Sequence, residues 1–391
     1  MRIRLRTPLA MLVLGAAAVL ASPVAAGAAT PYSAPSHHGA ALHDDRSGPA
    51  GAVFVQTDSA SGNRIDVFQR QAGGALTQAG SYATGGNGGV ESGAVVDSLA
   101  SQNSVVYDDG DLYAVNAGSD TISVFAVFGD RLLLLEVLPS GGTFPTSIAA
   151  RGHGVYVLNA GGAGTVAGFV RFGPFLVPIP GDRASLGLDN TTPPNYLMGP
   201  GDIGFTPDGR QLIVTTKASG SEIDVFSIGF FGYLSKPVVN PSTTPVPFSF
   251  AFGPGGTLVV AEAADSAVST YRVNPDGTLT GLSSLADGQA ALCWITPARG
   301  IDYVANAGSN NLSGYRVGNG GSLSLVGSGG VVAGTDAGPI DMAASPDGRY
   351  LYAQAGGAGA IDEFAVDSGG GLAPIGSVTG LGAGIEGIAA D

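Results

Sequence analysis

The sequence predicts an all-β fold, a seven-bladed β-propeller with four antiparallel strands per blade. Three observations predict it: a strand-like hexapeptide that recurs seven times, a mean spacing of about 49 residues between copies, and 64 Gly among 391 residues. The same composition excludes other classes. Gly without a three-residue period is not collagen, 44% hydrophobic residues is too many for a disordered chain, and helix-periodic segments are absent.

The hexapeptide opens as Ile65-Asp66-Val67-Phe68-Gln69-Arg70 and returns at 122–127, 166–171, 223–228, 268–273, 312–317 and 361–366. Its fourth position is always aromatic, and these aromatics lie 57, 44, 57, 45, 44 and 49 residues apart. It reads as the third strand of each unit. A second strand precedes it and ends in a tight turn, as in Leu112-Tyr113-Ala114-Val115-Asn116-Ala117-Gly118 and Asp302-Tyr303-Val304-Ala305-Asn306-Ala307-Gly308. Before that comes a small-residue first strand closed by a hairpin, clearest in Ala343-Ala344-Ser345-Pro346-Asp347-Gly348-Arg349. There Pro presets one dihedral and Gly accepts a positive φ. After the hexapeptide, turns such as Asn274-Pro275-Asp276-Gly277 lead to a fourth run at 279–285.

The two ends fit one blade. Residues 51–55 read as a second strand, while Glu386-Gly387-Ile388-Ala389-Ala390-Asp391 matches the first strand Thr146-Ser147-Ile148-Ala149-Ala150-Arg151. The C-terminal strand is therefore expected to complete the first blade, so that no terminal edge stays unpaired.

Residues 1–29 read as a secretory signal: Arg2, Arg4 and Arg6, then the apolar run 9–21, then small residues ending in Ala26-Gly27-Ala28. No later segment supplies the 18 or more apolar residues of a membrane helix. A flexible leader at 30–50 and a propeller at 51–391 follow, and the expected location is extracellular. A formal charge of −14 argues against a nucleic-acid partner and against anionic membranes, because both need a basic face. The single Cys293 has no partner for an internal disulfide and reads as a buried small hydrophobe. Three His at 37, 38 and 43 fall in the leader, and His153 sits in the turn Arg151-Gly152-His153-Gly154. No metal and no cofactor is expected.

Residues 51–391 resemble the seven-bladed lactonase propellers, which include bacterial 6-phosphogluconolactonase and fungal carboxymuconate lactonizing enzymes. The resemblance rests on Ser345-Pro346-Asp347-Gly348-Arg349, on the Asn-Ala-Gly-Ser turns at 116–119 and 306–309, and on the hexapeptide. Surface-layer repeats of the Tyr-Val-Thr-Asn type share these motifs. The resemblance implies lactone chemistry through a His that follows Pro at an inner strand. Here the corresponding pairs are Pro145-Thr146, Pro200-Gly201, Pro247-Phe248 and Pro339-Ile340, and no inner strand carries His.

Ligands of propellers usually sit on the face formed by loops entering the inner strands and by turns between second and third strands. Candidates there are Glu386, one position past the usual Pro, as general base, with Asp341 and Asp202 as polarising groups. Asn116, Asn159 and Asn306 come from the turns. The long stretches 81–101, 172–199 and 229–247 are expected as loops on that face, the second supplying Arg183 as a carboxylate anchor and Tyr196. Two functions stay open: a monomeric hydrolase or cyclase of a lactone or unsaturated carboxylic acid, and a non-catalytic extracellular module that binds a small ligand or a protein.

Overall fold

The computed structural model describes residues 50–327 and 329–391; the signal and leader assignments, with their three His, lie outside the described residues. Seven antiparallel sheets surround a central axis, six of four strands and one whose outer strand is broken in two. In that sixth blade Leu323–Leu325 and Val331–Gly334 share the edge of Asn311–Val317. Blade 1 has the order Ile388–Ala390, Ala52–Gln56, Arg64–Arg70, Leu76–Ala83, so the last strand of the chain closes the ring. Val53 pairs with Ala390 and Val55 with Ile388, and Arg70 Nη2 holds Asp391 O at 2.9 Å.

Every hexapeptide is a third strand, and its aromatic residue explains why. Phe68, Phe125 and Phe226 are wholly buried between neighbouring blades, each contributing about 1.5–3 kcal/mol of apolar burial. In five blades the register with the outer strand shifts next to this aromatic, between Val67 and Phe68 and again between Val124 and Phe125, for example. Such bulges bend the outer strand and add twist, which lets flat sheets splay around an axis. Second-strand tyrosines tie consecutive blades together. Tyr156 donates to Gly232 O at 2.6 Å, Tyr303 to Gly370 O at 3.1 Å and Tyr352 to Gly74 O at 2.7 Å.

Two of the long stretches are less irregular than expected. Part of 172–199 is strand and not loop: Phe175–Ser185 is the outer strand of blade 3, the longest strand among the described residues, and 229–247 contains the outer strand Val238–Pro241. Gly and Pro clusters at 180–181 and 193–194 obscured the strand pattern between them. His153 occupies an exposed turn and Cys293 is buried, as expected, with burial pushing its thiol up to about 12.

Candidate functional site

The inner strands all begin at one end of the central axis, here called the mouth, and residues 84–104 run across it instead of around the rim. Gly88 N donates to Ser59 O at 2.9 Å in blade 1, and Gly118 N of blade 2 to Asn87 O at 3.1 Å. Ser92 N reaches Pro194 O at 2.7 Å, and Ser98 Oγ reaches Gly384 O at 3.3 Å. Further on, Trp294 Nε1 of blade 6 donates to Ser101 O at 2.8 Å, Ser101 Oγ to Thr146 O of blade 3 at 2.8 Å, and Gln102 N to Gly201 O at 3.0 Å. Glycine makes the crossing possible, since a Cβ on Gly88 would lie 2.0 Å from Asp58 O.

This crossing segment carries two acids, Glu91 and Asp97, into the buried mouth. Asp97 accepts N–H bonds from Leu99 at 2.8 Å, Ala100 at 2.6 Å and Ser101 at 3.2 Å. Its carboxyl also meets that of Glu386. Among the described residues neither oxygen of Glu386 receives another N–H or O–H, so the contact between the two carboxyls requires a proton between them. Burial, then the charges of Asp97, Asp341 and Asp58, push Glu386 well above the usual carboxylate range. Burial raises Asp97 too, but its three N–H groups and the contact with Glu386 favour the charge there, so the shared proton is assigned to Glu386. A neutral Glu386 has a proton to give, whereas the sequence reading gave it the part of a general base.

The other carboxyls divide by their donors. Asp341 accepts only from backbone, Met342 N at 2.8 Å among them, and burial raises it to about 8. Asp202 accepts from Asn103 Nδ2 at 2.8 Å, Ile203 N at 2.8 Å, Phe250 N at 3.2 Å and Ser147 Oγ at 3.4 Å, which ties blades 3, 4 and 5 at the axis. Asp58 is likewise pushed up by burial, and its Oδ2 has no donor; Gln56 Oε1 and Gln354 Oε1 share that condition. The mouth thus holds a surplus of acceptors. Its cation is Lys217, fully buried at a positive φ, with Nζ 2.7 Å from Ala100 O, 3.5 Å from Glu91 and 5.3 Å from the Phe248 ring centre.

Glu386 and Asp341 come together here, with Asp202 beside Asp341. The remaining candidates do not join them. Arg183 is exposed on the outer strand of blade 3, paired with Ala167, because its segment is strand and not loop. Asn116, Asn159 and Asn306 are buried at the ends of their second strands, and Asn116 Oδ1 also accepts from Asn63 Nδ2 of blade 1 at 3.0 Å. Asn306 Nδ2 bonds Asn311 Oδ1 and Ser313 Oγ at 2.9 Å each, Asn116 Nδ2 bonds Ser123 Oγ at 2.8 Å, and Asn159 Nδ2 reaches Val157 O at 3.3 Å. Tyr196 is half-buried under Gly93 of the crossing segment. Asp97 and Glu91 were missed because nothing in a repeat reading marks them, although they are the only charged residues between Tyr82 and Tyr107. Among the described residues no group of three or more His, Cys, Asp or Glu is placed to hold a metal ion.

No family model and no curated protein matches this sequence. Solved structures do match. A periplasmic gluconolactonase of Pseudomonas aeruginosa is 17% identical, with a TM-score of 0.66 over 87% of this chain and 98% of its own. A Lactobacillus plantarum protein is 18% identical, with a TM-score of 0.67 over 87% and 99%. A Bacteroides fragilis protein with a provisional assignment as a 6-phosphogluconolactonase is 17% identical, with a TM-score of 0.66 over 88% and 98%. At these identities the likeness is one of fold, and by fold the chain is a seven-bladed propeller of the kind that lactonases use.

Proposed function

We propose that the chain is a lactonase-type hydrolase of a small, uncharged lactone, and that Asp97 and Glu386 activate the attacking water. The observation that carries this reading is the pair itself, a carboxylate held by three N–H groups against a neutral carboxylic acid at the end of the axis where propellers take ligands. Two carboxyls sharing one proton supply acid and base together. Asp97 takes a proton from water as the water oxygen bonds to the lactone carbonyl carbon. The ring C–O bond then breaks, and Glu386 gives its proton to the departing ring oxygen. The hydroxy acid leaves with the atoms of one water, and the proton on Asp97 returns to Glu386.

The charges at the mouth choose the substrate. Lys217 is already engaged by Glu91 and Ala100 O, and Arg183 is far out on a blade edge, so a phosphate or carboxylate would face acids without a free cation. That favours a neutral lactone over the carboxylic acids and phosphorylated sugars that the sequence resemblance brings to mind. The gluconolactonase among the fold relatives supports the same class. The export signal read in 1–29 supports a reaction outside the cytoplasm.

A second reading, a non-catalytic binding propeller, is favoured by one observation: the crossing segment bonds directly to blades on both sides of the axis. The two readings separate on base uptake at constant pH with gluconolactone, its 6-phosphate and a carboxylated muconolactone. Turnover of gluconolactone alone, abolished by D97N and by E386Q, upholds the hydrolase. No turnover of any lactone leaves the binding module, and turnover that survives E386Q removes the pair from the mechanism.

A further inference from the structure

The blade plan does not call for a lysine at 217. Lys217 stands six residues before Ile223, as Asn116 stands before Ile122, Glu262 before Val268 and Asn306 before Leu312. Those three side chains bond serines of their own third strands, Ser123, Ser269 and Ser313. Lys217 instead reaches out of its blade, and its Nζ bonds Ala100 O of the crossing segment at 2.7 Å. Its backbone takes a φ of 49°, in the left-handed region that a lysine rarely adopts. A strained, fully buried lysine in a place that the other blades give to Asn or Glu marks a local function.

Ala100 belongs to the turn that holds Asp97. Its N–H donates to Asp97 Oδ1 at 2.6 Å, between the donors Leu99 and Ser101, and its own φ of 44° is left-handed as well. Such a turn persists only where its surroundings fix it. Three side chains do so: Lys217 at Ala100 O, Trp294 Nε1 at Ser101 O, and Gln102, which exchanges two bonds of 3.0 Å with the backbone of Ile295. Lys217 and Trp294 flank one ring, that of Phe248, whose centre lies 5.3 Å from Nζ and 5.0 Å from the Trp294 ring. Of the three, Lys217 alone is charged. Against the burial that pushes Asp97 up, its ammonium favours the ionised form.

We propose that Lys217 is a positioning residue for the acid pair: by fastening Ala100 it fixes the turn that presents Asp97 to Glu386. The inference rests on the reading of Asp97 and Glu386 as the reacting pair. Glu386 is held separately, through its N–H on Gln56 O of blade 1 at 3.0 Å. Loss of the Lys217 bond therefore displaces one carboxyl and leaves the other in place. A base that must align with both a water and a neighbouring acid tolerates little displacement. Glu91, 3.5 Å from Nζ, balances the ammonium charge, so the two can be removed together without leaving a lone buried ion.

K217M/E91L in the full chain tests the proposal, with N306A as a control that loosens blade 6 far from this turn. Amide hydrogen exchange needs no substrate. In the unaltered chain the amides of residues 99–101 should exchange as slowly as those of the strand Gln211–Thr215, and fast exchange there overturns the proposal without any variant. In K217M/E91L they should exchange about tenfold faster or more, with the strand unchanged. The infrared carbonyl stretch that disappears in E386Q should shift in K217M/E91L, as Glu386 loses its partner, and stay in place in N306A. With gluconolactone, kcat should fall about tenfold or more while KM holds. Exchange raised equally in the turn and the strand, or an unmoved carbonyl stretch, makes Lys217 a purely structural residue and overturns the proposal. Absence of turnover in the unaltered chain defeats the hydrolase reading instead, and exchange and the infrared band still decide for or against Lys217.

Discussion

The carboxyl of Glu386 meets that of Asp97 and no other donor among the described residues, so one proton serves both groups at the buried mouth of the propeller. Asp97 has three backbone N–H groups to spread its charge, and Glu386 has none. The asymmetry fixes which partner is the acid.

Stability should fall as pH rises through the neutral range. Glu386 and Asp341 bind their protons more tightly folded than unfolded, because burial disfavours their charged forms. Their contribution is complete below the ordinary carboxyl range, near pH 4, and for Asp341 it is lost as pH approaches its folded value of about 8. Each group contributes on the order of 1 kcal/mol per pH unit over its window. Thermal melts should show Tm dropping between about pH 5 and pH 8, with a shallower drop in D341N. A Tm that rises over this interval, or an unchanged slope in D341N, contradicts the assignment.

Lys217 should matter more through what it leaves behind than through what it adds. K217M strands Glu91 as an uncompensated buried acid and should cost about 3–5 kcal/mol in urea unfolding, while K217M/E91L recovers most of that loss. A double variant as unstable as the single would show that Lys217 stabilises through packing on Phe248 and its bond to Ala100 O instead.

The blade plan was legible because it repeats. Seven aromatic fourth positions, the Pro-Asp-Gly hairpins and the match of 386–391 to 146–151 each report a local requirement that recurs around the ring. The site was legible only where it borrowed that frame, so Glu386, Asp341 and Asp202 could be placed by their inner-strand positions. Asp97 and Glu91 sit on a non-repeating crossing whose path depends on contacts with distant blades, such as Ser101 with Trp294. Arg183 misled for the converse reason: Gly181 and the two prolines before it look like loop, yet an edge strand tolerates them.

Ring closure gives a third test. Removing residues 388–391 frees the edge of Ala52–Gln56 and takes Ile388 and the Arg70–Asp391 contact with it. A loss of about 3–5 kcal/mol, with self-association in light scattering, is the expected result. A truncated chain that melts like the intact one and stays monodisperse would show that the last strand does not hold the ring.

The turn residues should separate from the site. N306A breaks two bonds within blade 6 and should cost about 1–3 kcal/mol with lactone turnover per folded molecule unchanged. R183A, on an exposed strand edge, should alter neither quantity. Turnover lost in R183A with stability intact would restore Arg183 to the site.

The shared proton can be read directly by infrared difference spectroscopy between the unaltered protein and E386Q near neutral pH. The pair predicts that the carbonyl stretch of a protonated carboxylic acid disappears in E386Q and survives in D97N. Loss of a carboxylate band in E386Q, with no protonated carbonyl stretch lost, would contradict it.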